Sequence, residues 1–98
     1  MAYRLRLSKK AVGEIGEAYE WYQTQLPGLG AEFLDTLNAQ FKVISQSPQL
    51  YAEVRRGVCR ALLPRFPYGV FYASRDDIVS VLGVIHSSRS PRIWPRRP

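Results

Sequence analysis

Two apolar runs in the last third of the chain, residues 68–73 (YGVFYA) and 78–85 (IVSVLGVI), restrict the folds open to it more than any other feature. Each is short and rich in β-branched and aromatic residues, so each reads as a strand. The polar stretch Ser74-Arg75-Asp76-Asp77 between them reads as a hairpin turn. Within the second run only Ser80 interrupts the apolar residues. A strand of that kind belongs in the interior of a sheet, covered on both faces or nearly so. It ends at His86, the only histidine in the sequence. After His86 come Arg89, Arg92, Arg96 and Arg97, with no acid among them. An imidazole and a cluster of guanidiniums are thus delivered to one end of a core strand.

The remaining elements follow from periodicity. Residues 3–7 alternate, with Tyr3, Leu5 and Leu7 on one side and Arg4 and Arg6 on the other, which is a half-buried strand at or near a sheet edge. Ser8 is placed to cap a helix over residues 9–26, whose apolar face reads Val12, Ile15, Tyr19, Tyr22 and Leu26. Gly13 and Gly16 weaken that helix unless they allow a neighbour to pack closely, which is the expected reason for them. Pro27-Gly28 turns the chain. A second helix over 29–46 carries Phe33, Leu34, Leu37, Phe41 and Ile44, and Ser47-Pro48 ends it. The short connection makes the two helices an antiparallel hairpin. Residues 49–56 read as a linking loop. A third strand, 58–63, precedes Pro64 and Pro67. The expected fold is α+β in two layers: an N-terminal strand, a helical hairpin and a three-stranded antiparallel meander, with residue 3–7 pairing elsewhere on the same sheet.

Ninety-eight residues suffice for one domain with a modest core, here 1–98, of which 91–98 is expected to be a flexible basic tail. A single cysteine, Cys59, gives neither an internal disulfide nor a thiolate zinc site and is expected to fill the core. No metal and no cofactor are expected. No apolar run approaches the ~18 residues of a membrane span, and the first ten residues lack a signal-peptide core. A cytoplasmic protein without membrane contact is expected.

The net charge of +6 is unevenly placed. All three lysines lie before residue 51, and the second half uses arginine alone, opposed only by Glu53, Asp76 and Asp77. Arginine makes bidentate contacts that lysine does not, which marks a surface for phosphate or carboxylate. Charge alone does not separate a nucleic acid from an acidic protein, nor either from a solubilising face.

Two kinds of chemistry are compatible with these residues. A metal-free ribonuclease needs an acid, a base and cations. His86, Arg60 and Arg89 supply an acid and two cations, with Glu53 as the base. A binding role uses Trp94 and Arg92 of the segment RSPRIWP, since Trp and Arg are frequent interface anchors. Trp94 either anchors a partner or folds back onto the core. Trp21 falls off the apolar stripe of its helix and is available to a partner, whereas Tyr19 and Tyr22 at helical spacing belong to the core. The sequence contains no phosphate-binding glycine loop, no HExxH and no GxSxG.

The residues Phe66-Pro67-Tyr68-Gly69-Val70-Phe71-Tyr72, then Asp77-Ile78-Val79, Val84-Ile85-His86, Arg89-Ser90-Pro91 and Trp94, resemble the C-terminal half of RelE/ParE toxins. Arg60 fits the same pattern, and the preceding strand and helices match in order and length. The resemblance implies a compact α+β fold on a curved antiparallel sheet. It also implies a cognate antitoxin whose flexible acidic segment wraps the toxin, with operator DNA bound only through that antitoxin. Within the family, RelE-like members cut messenger RNA on the ribosome and ParE-like members inhibit DNA gyrase. The residue after His86 is Ser87 and no tyrosine lies beyond Tyr72, so the terminal tyrosine of the RelE type is missing. The HxxRxPxxW ending is similar to the ParE branch. The resemblance therefore implies a gyrase inhibitor, not an enzyme. In that case Arg60, Arg65, Arg89, Arg92, Trp94, Arg96 and Trp21 contact target or antitoxin. The alternative it leaves is a metal-independent endoribonuclease using His86, Arg60, Arg89 and Glu53 on ribosome-bound mRNA.

Overall fold

The computed structural model describes residues 2–89, excluding the side chain of Arg89. Strand β1 (Arg4–Leu7) leads into helices α1 (Lys9–Gln25) and α2 (Leu29–Gln46). Four further strands follow: β2 (Glu53–Arg55), β3 (Val58–Leu62), β4 (Tyr68–Arg75) and β5 (Ile78–His86). They form one sheet in the order β1-β5-β4-β3-β2. The expected meander is antiparallel throughout, and β1 joins it parallel to β5. Helices α1 and α2 pack on one face as the second layer. The α+β class and the strand–helix–helix–meander order are as expected.

The helix-facing side of the sheet holds the core. Phe33, Leu37 and Ile44 of α2 and Ala11 and Ala18 of α1 meet Ala61, Val70, Tyr72, Val79, Val81 and Val84. Aromatic rings close one end. Phe33 lies 5.4 Å from Tyr22 and from Phe66 and 5.3 Å from Tyr68, the last two edge-on, as the ring quadrupoles prefer. Buried Tyr72 donates its hydroxyl to the Pro48 carbonyl, pinning the 3₁₀ turn Pro48–Leu50 to the centre of the sheet. Burial first, and the neighbouring Cys59 second, push the Tyr72 phenol well above its ordinary range.

Several expectations need correction. The face of α1 packed on the sheet is Ala11, Ile15, Ala18 and Tyr22: Ile15 and Tyr22 are half-buried there as expected, but the fully buried residues are Ala11 and Ala18 rather than Val12, Tyr19 or Leu26. Val12 is 55% exposed and Leu26 58%. The two alanines win because they let the helix axis come down close on β5, where larger side chains would hold it off. Gly13 and Gly16 face open space, so neither serves close packing. The glycine at the helix–helix contact is Gly30, where a Cβ would stand 2.8 Å from the ring of Tyr19.

Residues 49–56 are not a plain loop. They hold the 3₁₀ turn and the edge strand β2, so the meander has four strands. Strand β2 has three residues and no alternation, and pairing creates it rather than pattern. Gly57 takes φ +76° at the turn, and its N–H donates to Glu53 Oε2 at 2.6 Å. The β4–β5 turn is also tighter than expected. Ser74 and Arg75 continue the strand, and only Asp76 and Asp77 turn, with Asp76 at φ 57°.

Strand β5 carries a bulge. Phe71 pairs with Gly83 and Tyr72 with Val81, which leaves Leu82 without an opposite number. The bulge changes which residues face the helices, from Val79 and Val81 before it to Val84 and His86 after it.

Candidate functional site

Strand β1 pairs with β5 only as far as Val81, so the last part of β5 presents a free edge beside α1. Ser8 and Glu14 occupy that edge. The Ser8 N–H donates to the Val81 carbonyl and its hydroxyl to the Leu82 carbonyl, while its oxygen accepts the Ala11 N–H as the helix cap. One turn on, Glu14 Oε1 accepts the Val84 N–H at 2.8 Å, in place of a strand partner, and Oε2 meets Lys10 at 2.5 Å. Past Glu14, helix and strand diverge. They leave a groove of about 450 Å³ lined by Glu14, Glu17, Trp21, Tyr68, His86 and Ser88, among others.

His86 stands at the mouth of this groove, on the helix side of the sheet. Its ring packs edge-on against Tyr68 at 5.2 Å. Nδ1 accepts the Ser88 N–H at 3.1 Å and lies 2.9 Å from the Ser88 hydroxyl. Because Nδ1 is an acceptor, the neutral ring carries its proton on Nε2. Trp21, 58% exposed, forms the opposite wall. These two candidates share one place.

The other candidates lie elsewhere. Arg60 is paired with Phe71 on β3, and both point to the face away from the helices. Its stem lies along Gly69, 3.3 Å from where a Cβ there would be. Glu53 lies on the far edge strand, three strands from β5, or roughly 14 Å across the sheet at the usual spacing. Arg65, in the turn before β4, reaches Glu32 at 2.7 Å and lies over the Phe66 ring at 5.1 Å. It takes φ 71°, a conformation bulky residues seldom adopt. The backbone of Arg89 ends the turn Ser87–Arg89, while Arg92, Trp94 and Arg96 lie outside the described residues. So the ribonuclease set His86, Arg60 and Glu53 is not brought together.

Sequence reasoning missed Glu14, Glu17 and Tyr68 as groove residues. Glu14, Glu17 and Trp21 recur at spacings of three and four, so one helical face was readable, but nothing showed that β5 would lie open beside it. Half-buried Cys59 is not an activated nucleophile: burial raises its thiol above the ordinary range. Among the described residues no group of three or more His, Cys, Asp and Glu side chains could hold a metal ion. Among them, too, no helix is long and apolar enough to cross a membrane.

The fold and its open-edged sheet can be set against known proteins. The family model described as the ParE toxin of the type II toxin–antitoxin system parDE matches residues 5–91. The chain therefore belongs to the ParE toxin family. Among solved structures, a chain of the chromosomal ParDE system from P. aeruginosa is similar at 18% identity and a TM-score of 0.77, covering 87% of this chain and 96% of that one. A chain of the RelBE2 toxin–antitoxin complex from Mycobacterium tuberculosis is similar at 22% identity and a TM-score of 0.60, covering 88% and 99%. At these identities the likeness is one of fold. Comparison with curated proteins found no match.

Proposed function

We propose that this ParE-family chain is a toxin that acts by binding, inhibits DNA gyrase, and is held inactive by a cognate antitoxin. The observation that carries this reading is the separation of His86 from Arg60. They lie on opposite faces of the sheet, with Glu53 on its far edge. Phosphoryl chemistry on RNA needs the acid and the cations within reach of one phosphate. His86 instead shares its groove with the carboxylates of Glu14 and Glu17, which repel a polyanion. The Ser88 contacts give the imidazole a sufficient structural role. An arginine-only second half suits an acidic, flexible antitoxin, because opposite charge steers association and a disordered segment can wrap a curved surface. The site of action is the cytoplasm, and operator DNA is reached through the antitoxin.

Substituting His86→Ala tests the binding mechanism. Induced expression of the unaltered chain is expected to arrest growth, and the variant is expected to arrest it to the same extent. Loss of toxicity in a His86→Ala protein that remains folded and binds antitoxin would instead support ribosome-dependent cleavage of mRNA.

A further inference from the structure

Beyond the Leu82 bulge, the outer edge of β5 is only partly satisfied. Along a strand, alternate residues turn their N–H and C=O groups to opposite edges. The Ser87 N–H donates to the Pro67 carbonyl on the β4 side, and the Val84 N–H donates to Glu14 on the other. The Val84 carbonyl and the His86 N–H therefore point away from β4, into the groove beside α1. Strand β1 stops opposite Val81 and does not reach them. Among the described residues neither group has a hydrogen-bond partner. One residue of an extended chain, lying parallel to β5 and opposite Ile85, satisfies both at once. Its N–H donates to the Val84 carbonyl, and its carbonyl accepts from the His86 N–H. That step continues the parallel ladder that β1 begins.

We propose that this edge and its groove bind an extended segment of a partner protein that carries a lysine or arginine. In a strand laid on the edge, the residues on either side of the pairing residue turn to the helix side, as Val84 and His86 do. The one level with His86 enters the groove between Glu17 and Trp21. Glu14 is already engaged, by the Val84 N–H and by Lys10. Glu17 has no ion pair among the described residues. A cation placed there meets the Glu17 carboxylate and the indole of Trp21, which is mostly exposed and suits a guanidinium or a lysine stem. An acidic segment is repelled by the same carboxylates. The groove therefore selects the opposite charge from the arginine-rich half, and it is a separate surface from one fitted to an acidic antitoxin. The chain as a whole carries +6, so attraction of a cationic segment has to arise locally, at this groove. The assignment holds whether or not gyrase is the target.

The probe is the end-blocked peptide Val-Lys-Val-Lys-Val, titrated to millimolar concentration into the full, isotope-labelled chain. Amide NMR spectra are expected to show saturable shifts at the His86 N–H and at the Trp21 indole N–H. Glu17→Gln keeps the shape of the side chain and removes its charge, and it should weaken binding several-fold while the rest of the spectrum stays in place. Two control peptides should leave both signals unmoved. One has glutamate in place of each lysine, and the other is N-methylated at the central valine, so that it has no N–H for the Val84 carbonyl. Absence of a saturable shift at His86 with the lysine peptide would overturn the proposal. Equal binding of either control peptide would overturn it too, as would a Glu17→Gln chain that binds the lysine peptide as tightly as the unaltered one.

Discussion

Replacing Phe33 with alanine is expected to lower the stability of the fold by about 3–5 kcal/mol. Phe33 has no solvent exposure, and it joins the two layers. Its ring meets Tyr22 from α1, Phe66 from the turn before β4 and Tyr68 from β4 itself. Truncation removes the transfer energy of the ring and leaves a cavity that three other elements would have to move to fill. A small domain has a total stability of only about 5–15 kcal/mol, so the loss is a large share of it. The midpoint of urea unfolding should fall steeply with little change in slope. Phe33→Leu, which keeps most of the volume, should cost less than about 1.5 kcal/mol. Tyr68 also supports the His86 ring, so the alanine variant should loosen the groove as well. A cost for Phe33→Ala near that of an ordinary surface change, within about 0.5 kcal/mol, would mean that the two layers are not joined here.

Placing valine at Gly30 is expected to cost about 3 kcal/mol, by overpacking rather than by a cavity. Its first side-chain carbon would sit 2.8 Å from Tyr19 Cδ1 and Cε1 and from Gln23 Oε1. The Gln23 carboxamide can rotate away, but the Tyr19 ring is attached to the facing helix, so the helices must separate. The movement also breaks a cap. Gln23 Oε1 accepts the N–H groups of Gly28 and Gly30 at 3.2 and 3.0 Å, which serves the start of α2 in place of the side chain that Gly28 lacks. The opposite sign is expected at Gly13, where nothing obstructs a Cβ. Gly13→Ala should stabilise by roughly 0.5–1 kcal/mol through helix propensity. Thermal melts of the two variants separate close packing from propensity. Equal effects at Gly30 and Gly13 would contradict the helix–helix contact described.

These two glycines also show how far the sequence could be read. The helical hairpin was legible from the Pro27-Gly28 break, and α2 from Phe33, Leu37 and Ile44, because large apolar residues at helical spacing carry a strong signal. In α1 the same rule favoured Val12 and Leu26 over Ala11 and Ala18. Alanine carries little hydrophobic weight, and only the closeness of the strand beneath makes it the buried residue. The β4 and β5 strands were legible from their composition. The edge strand β2 was not, since three polar-flanked residues become a strand only when β3 is beside them.

The candidate site was legible in parts. His86 and Trp21 could be named, but not that they share a groove. Simple alternation from Val79 and Val81 would have turned His86 outward, towards the side of Arg60. The bulge at Leu82 reverses that, and no residue type announces it. By its type and position Glu14 is an ordinary acid near a helix start, yet in the fold it completes the edge of β5 by accepting the Val84 N–H.

A supercoiling assay with purified DNA gyrase, relaxed plasmid and ATP tests the central claim most directly. Added protein is expected to suppress supercoiling as its ratio to gyrase rises, with linear DNA released after protease treatment. His86→Ala should act as strongly as the unaltered chain, and antitoxin should restore supercoiling. Undisturbed supercoiling at several-fold molar excess, by a preparation that still arrests growth, would contradict the gyrase reading.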